Sequence, residues 1–238
     1  VVRILVVDNE RDLVWVLQQS LASDGYEVLV AYDGLEALAL AQRSRPDLVI
    51  LDIVMPGLDG REVCRRLRQD PALATVPVIF LSVRASPEEQ VAAFDGGGDD
   101  YVAKPFDLAE LKARIRNLLR RSGRTDEQAI LGARQGSMLV AGALSLDLKS
   151  REAIVQGRSV ELTPTEFDLL RYLLSHANQV CSRETLLHEV WGYDATAISP
   201  GLVRWHIKKL RAKIESDPAH PLYIHTRPRH GYVLKVGI

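Results

Sequence analysis

The chain has little that would cross-link it or hold it in lipid. Its 238 residues include two cysteines, Cys64 and Cys181, far apart and with no Cys/His spacing of a zinc site. A disulfide framework is excluded, and two reduced thiols are expected. No apolar run reaches 18 residues, and no charged-then-apolar segment opens the sequence. The expectation is a soluble, cytoplasmic protein whose membrane partner, if any, is a separate chain. Low-complexity tracts are also missing, and at 47% hydrophobic and 26% charged the composition is globular. Net charge is only −1, which hides an asymmetry. Residues 1–122 hold 15 Lys/Arg against 19 Asp/Glu, giving −4; residues 123–238 hold 15 against 12, giving +3. An acidic half joined to a basic half suggests a metal or phosphate site in the first and a polyanion partner for the second.

Four short apolar runs in the first half end on polar residues. RILVVD ends at Asp8, LVILD at Asp52, VIFLS at Ser82 and DYVAK at Lys104. With EVLVA (27–31) they read as strands buried on both faces and separated by helical patterns. The expected fold is α/β: a doubly wound, five-stranded parallel sheet of flavodoxin-like type. Helix starts are marked by Asp33/Glu36, Ser86-Pro87-Glu88-Glu89 and Asp107/Glu110, patterns that satisfy orphan N–H groups. Strand C-termini of such a sheet share one edge, where ligands bind. Two carboxylates, a hydroxyl and an ammonium therefore converge, a set suited to phosphoryl transfer onto a carboxylate. Asp52, on the central strand, is the candidate nucleophile. Asp8 can help hold Mg²⁺, Val54 can offer it a backbone carbonyl, and Lys104 and Ser82 can bind phosphate oxygens.

ILVVDNE, PDLVILDIVMPGLDG, FLS and DYVAKPF resemble the signature segments of a response-regulator receiver domain. The resemblance implies phosphorylation of Asp52 by a sensor histidine kinase, Mg²⁺ dependence, a cis Lys104–Pro105 bond and a switch pair, Ser82 and Tyr101. Asn9 stands where receivers usually carry a second acid that touches the metal; its carbonyl can still ligate, with one negative charge fewer. Val83 fills a position that is usually small. The resemblance also implies a phosphorylation-promoted homodimer through the fourth helix, fifth strand and fifth helix. Asp99, Asp100, Glu110 and Arg114 match its cross-subunit ion pairs, and Gln90 replaces one basic partner.

Residues 123–137 read as a linker between a domain at 1–122 and another at 138–238. Small antiparallel strands are expected at 144–148 and around 153–156. Three helices follow, from Thr163-Pro164-Thr165-Glu166 to about His176, from Ser182 to near Trp191-Gly192, and from Ser199-Pro200 to about Glu215. Two strands, YIHT and GYVLKV, then flank the turn Arg227-Pro228-Arg229-His230. Helices followed by a terminal hairpin describe a winged helix-turn-helix. The third helix places Val203, Ile207, Leu210 and Ile214 on one stripe. It also carries Arg204, Lys208, Lys209, Arg211 and Lys213 without one acid, as an element entering the major groove of double-stranded DNA should.

LTPTEFDLLRYLL, SRETLLHEVWGYD, VRWHIKKLRAKIE and HGYVL resemble the effector domain of the OmpR/PhoB subfamily. By that resemblance Trp205, His206, Lys208, Lys209 and Arg211 meet DNA, Arg183, Trp191, Thr226 and Tyr232 grip phosphates, and Arg227 and Arg229 form the wing tip, where Pro228-Arg229 replace the usual Gly-containing turn. RNA polymerase is a further partner such a regulator would meet. Two other readings stay open. A haloacid-dehalogenase-like phosphohydrolase also uses an Asp and a Lys, but wants a second Asp where this chain has Val54. A DNA-binding regulator with a degenerate receiver would need no phosphate, and Asn9 is its support.

Overall fold

The computed structural model describes residues 1–83, 97–121, 138–192 and 201–236. The chain divides into two compact units, Val1–Thr125 and Asp126–Ile238. The expected linker and the Ser86 helix start lie outside the described residues, as does Gln90.

Unit one has strands β1 (Arg3–Val7), β2 (Glu27–Ala31), β3 (Leu48–Asp52), β4 (Val78–Ser82) and β5 (Asp100–Ala103). All four pairings are parallel, in the order β2-β1-β3-β4-β5. The described helices are α1 (Arg11–Ser23), α2 (Gly34–Ser44), α3 (Gly60–Gln69) and α4 (Leu108–Arg121). Alternate strand residues feed two cores. Leu5, Val7, Val49, Leu51 and Phe80 pack with Ala37, Val63 and Leu67 of α2 and α3. Ile4, Val6, Ile50, Ile79 and Leu81 pack with Leu17 of α1 and Ile115 of α4. Burial on both faces is why these strands read as continuous Val/Ile/Leu runs.

The helix starts are chemically fixed. Asp33 accepts from the N–H groups of Leu35 and Glu36, both at 2.9 Å, and Glu36 reaches back to the Tyr32 N–H at 2.8 Å. Asp107 accepts from Ala109 at 2.6 Å and Glu110 at 3.4 Å. Glu110 itself does not turn back; it binds Arg114 of the next turn. At Gly60, the start of α3, a Cβ would stand 2.1 Å from the Asp52 carbonyl oxygen. Only a residue without one lets the helix abut the strand that ends in Asp52.

Unit two opens with a four-stranded antiparallel sheet: β6 (Met138–Ala141), β7 (Leu144–Asp147), β8 (Glu152–Val155) and β9 (Arg158–Val160). The sequence reading gives only the middle two. Met138–Ala141 is half exposed and Arg158–Val160 is three residues long, so neither carries a clear alternation. Gln156 and Gly157 join β8 to β9 with φ of 51° and 79°, the two positive values of a type I′ hairpin turn. Three helical elements follow: α5 (Pro164–Ser175), α6 (Arg183–Trp191, whose last five residues form a π turn) and α7 (Gly201–Ile214). A hairpin of β10 (Ile224–Arg227) and β11 (Gly231–Leu234) ends the unit. Thr163 and Glu166 make the expected capping box, the Thr163 N–H donating to Glu166 at 2.9 Å and Glu166 N–H to Thr163 Oγ1 at 3.4 Å. The stripe Val203, Ile207, Leu210, Ile214 is buried.

Candidate acceptor site and nucleic-acid interface

The strand order reverses between β1 and β3, because β1 leads outward to β2 and β3 leads the other way to β4. Asp8, just past β1, and Asp52, at the end of β3, flank that crevice. Both are buried. Lys104 arrives just past β5, after a chain of pairings that sets Ser82 beside Ala103. Its backbone N–H donates to the Ser82 carbonyl at 2.8 Å, and its bond to Pro105 is cis. The Lys104 ammonium lies 2.7 Å from Asp8 Oδ2, 3.0 Å from Glu10 Oε1 and 3.5 Å from Asp52 Oδ1. Asp8 Oδ1 accepts from the Glu10 N–H at 2.8 Å.

One ammonium thus serves three carboxylates, and the charge does not balance locally. Burial, then the Asp8 charge, pushes the Asp52 pKa up to about 6, against the pull of Lys104 and a hydrogen bond from the Val54 N–H. Burial works against the Lys104 charge, but its bonds to Asp8 and Glu10 and the charge of Asp52 outweigh it, so its pKa is raised. Excess negative charge among hard oxygen donors fits Mg²⁺, which takes one or two carboxylates and keeps its waters. Among the described residues no group of three or more His, Cys, Asp or Glu stands ready for a metal. The donors at hand are two buried carboxylates, Asp8 and Asp52; Asn9 and Val54, expected to add neutral oxygens, are exposed next to them in sequence. That set suits a weakly held hard cation rather than a transition metal. Ser82 is buried at the end of β4, and Tyr101 is half buried on β5.

On α7 the cations divide. Arg204 and Lys208 are exposed, one turn apart. Lys209 is half buried, with its ammonium 5.5 Å from the Trp205 ring centroid. Lys213 does not face solvent alone: it donates to the Glu161 carbonyl at 2.9 Å and to Glu166 at 2.6 Å. Arg211 donates twice to the Ile224 carbonyl, at 3.0 and 2.7 Å, and to Thr226 Oγ1 at 2.9 Å. Arg227, Arg229 and His230 are exposed at the hairpin tip. Arg229 has φ of 65°, the left-handed conformation that a glycine usually supplies. Arg183 is exposed on the first turn of α6, after the Ser182 cap.

Comparison with known proteins agrees with this layout. Residues 4–116 match the model of the response regulator receiver domain, and 157–234 match that of the transcriptional regulatory protein C terminal. The chain is 44% identical to response regulator MprA of Mycolicibacterium vanbaalenii, over 98% of this chain and 97% of that one. It is 39% identical to the DNA-binding dual master transcriptional regulator RpaA of Synechocystis, over 99% and 95%. The chain belongs to the OmpR/PhoB family of response regulators. Among solved structures, the Thermotoga maritima regulator DrrB is similar at 29% identity and a TM-score of 0.50, covering 98% of this chain and 99% of that one. A cysteine mutant of RitR is similar at 25% and 0.72, covering both chains fully. This is a two-component, DNA-binding transcriptional response regulator: a phosphoryl acceptor, not a catalytic enzyme. The phosphohydrolase reading falls.

The response-regulator frame does not place every expected residue on a surface. Trp191, Trp205, His206 and Tyr232 are 0%, 5%, 1% and 3% exposed. His206 packs edge-on to Trp205, centroids 4.5 Å apart, and 5.1 Å from Trp191. These side chains are buried in the unit, so in the free chain they do not face solvent as Arg204 and Lys208 do. Sequence alone shows an aromatic between cations; only packing shows which way it faces. Asp99, Asp100 and Arg114 are likewise 1%, 1% and 4% exposed. Arg68 holds Asp99 at 2.9 Å, and Arg114 holds Asp100 at 3.1 Å. Those charges form intrachain pairs; Glu110 alone of the four is exposed. The reading missed Arg68, Glu10 and Glu215. Glu10 lies two residues past Asp8, but its reach to Lys104 is set by the fold and not by that spacing, and the other two look like ordinary helix charges. Among the described residues no helix is long and apolar enough to cross a membrane.

Proposed function

We propose that Asp52 accepts the phosphoryl group from a phosphohistidine of a partner sensor kinase. The observation that carries this is the Lys104 ammonium, 2.7 Å from Asp8 and 3.5 Å from Asp52 in the crevice where the strand order reverses. A carboxylate oxygen of Asp52 attacks phosphorus, the P–N bond to the imidazole breaks, and an acyl phosphate forms. Lys104 then turns from Asp8 and Glu10 to a phosphoryl oxygen. Ser82 donates its hydroxyl to another, and Tyr101 follows inward. Mg²⁺, held by Asp8, Asp52, the Asn9 side-chain oxygen and the Val54 carbonyl, would neutralise charge on the transferring group. The first domain is 1–122, the linker 123–137 and the second domain 138–238.

Phosphorylation promotes a homodimer, and two copies on paired half-sites bind double-stranded DNA more tightly through effective concentration. Arg204, Lys208 and Lys209 face the major groove, Arg183 the backbone, and Arg227 and Arg229 the adjacent groove. The test is incubation with Mg²⁺ and a phosphoramidate donor, followed by intact-mass analysis. The wild-type chain should gain one hydroxylamine-labile phosphoryl group and Asp52→Asn none. Equal labelling of both would remove Asp52 from the role; no labelling of either would favour the regulator that needs no phosphate.

A further inference from the structure

Two charged side chains four residues apart, one on the last turn of α7 and one just past its end, act on the same short segment. Arg211 donates from Nε and Nη2 to the Ile224 carbonyl, at 3.0 and 2.7 Å, and from Nη2 to Thr226 Oγ1 at 2.9 Å. Glu215 is buried just past the helix end. Its carboxylate accepts from the N–H groups of Leu222, Tyr223 and Ile224, at 2.7, 3.0 and 2.8 Å. Both backbone groups of Ile224 therefore bond to side chains at the C-terminal end of α7, the carbonyl to Arg211 and the N–H to Glu215 just beyond it. The residue pairs with Leu234 on its other side. The edge of β10 that a further strand would occupy is occupied by a helix through charge-assisted hydrogen bonds, which are about twice as strong as neutral ones.

Arg211 is turned to β10, whereas Arg204 and Lys208 lie on the exposed face of α7. The hairpin tip lies three to five residues beyond Ile224, so the clamp sits at its base. Held there, tip and helix move together. A cation at the tip then meets DNA already aimed, instead of losing orientational freedom on binding.

We propose that Arg211 and Glu215 are positioning residues that lock the wing to the recognition helix, so that wing-tip and helix cations engage DNA as one rigid unit. Arg211 does this in place of touching DNA itself. The proposal rests on the reading that Arg229 at the wing tip contacts DNA.

The test uses the full chain and a duplex selected from a random-sequence pool. Hydrogen exchange on the free protein comes first: Arg211→Met and Glu215→Gln should each unprotect the amides of 222–224 while β11 keeps its protection. Unchanged protection would overturn the clamp. Next, Arg229→Ala should cost the otherwise wild-type chain about tenfold in affinity, but less than about twofold in the Arg211→Met background. Lys208→Ala should cost the same in both backgrounds. The salt slope of Arg211→Met should flatten no more than that of Arg229→Ala, because only the wing-tip contact is lost. A slope flatter than that of Arg229→Ala by about one unit in the double variant, with all losses additive, would make Arg211 a direct DNA contact and refute the proposal. If Arg211→Met does not fold, Arg211→Lys, which keeps the charge but not the fork, takes its place in the same cycle. A wild-type chain that loses nothing on Arg229→Ala would refute the wing contact before Arg211 is touched, and the proposal with it.

Discussion

Replacing the acceptor should stabilise the domain that carries it. Asp52 is 5% exposed, and its pKa stands at about 6 against an ordinary 3.8, chiefly through burial and the Asp8 charge. Between those values the folded state binds more protons than the unfolded one, so stability falls as pH rises from about 3.8 to about 6 and then levels off. A shift of about two units is equivalent to roughly 3 kcal/mol of stability forgone at neutral pH. Asparagine has the shape of the protonated acid and no charge. Asp52→Asn should therefore stabilise the receiver by up to about 3 kcal/mol at pH 7.5, on the order of 10 °C in Tm. The gain should shrink through pH 6 to 4 and vanish below about 3.8, where the aspartate is neutral in both states.

Thermal unfolding by circular dichroism across that pH range measures the effect directly. Saturating Mg²⁺ provides an internal control. A cation that binds only the folded state at a hundred times its Kd adds about 2.7 kcal/mol, so the wild type should rise towards the mutant while the mutant moves little. An Asp52→Asn chain no more stable than wild type at pH 7.5 would refute the reasoning, and so would a gain that persists unchanged at pH 3.5. The first result would mean that Lys104 fully offsets the charge on Asp52, and the second that the gain does not come from that charge.

Three further perturbations probe neighbouring features. Asn9→Asp restores a charge beside the divalent cation and should tighten Mg²⁺ binding by roughly tenfold in calorimetric titration; an unchanged Kd would place residue 9 away from the metal. Gly60→Ala forces a Cβ against the Asp52 carbonyl oxygen, 2.1 Å away, and should cost about 1–3 kcal/mol in urea unfolding while slowing phosphorylation. Arg114→Met leaves Asp100 buried without its arginine and should cost about 3–5 kcal/mol in the monomer; a stable monomer that instead fails to dimerise would return Arg114 to the subunit interface.

The acceptor domain was legible in the sequence because its determinants are local. Four of the five strands are short, largely apolar runs that end on or just before a residue that matters, and the starts of α2, α3 and α4 carry their own aspartate caps. Parallel topology then brings Asp8, Asp52, Ser82 and Lys104 to one edge without any further information. Glu10 escaped because nothing in its spacing says that its side chain folds back 3.0 Å to Lys104 across 94 residues of chain. The outer strands of the second unit's first sheet escaped for a different reason. Leu139 pairs with Leu146 and Ala153 with Val160, so what defines those strands is the neighbour, not the pattern. The buried ion pairs Arg68–Asp99 and Arg114–Asp100 show the same limit for charge. A charged residue looks exposed until its partner, here 31 or 14 residues away, is placed beside it.

The recognition helix states that limit most sharply. In sequence its five cations form one signal, all pointing to a polyanion. In the fold they have at least three surroundings. Arg204 and Lys208 are exposed on one row, Lys209 leans over Trp205, and Arg211 and Lys213 reach inward to Ile224 and Glu166. A stripe of apolar residues every three or four positions leaves an arc of outward positions on a helix of 14 residues. Cations at the margins of that arc lie against neighbouring elements, and there a buried carbonyl or carboxylate competes with DNA for them. The competition favours the protein wherever the partner is already desolvated, as the Ile224 carbonyl is, because leaving it unpaired would cost about 1–3 kcal/mol. The charge available to read a groove is therefore smaller than the composition suggests. Arg211 and Lys213 hold the frame from which Arg204 and Lys208 project.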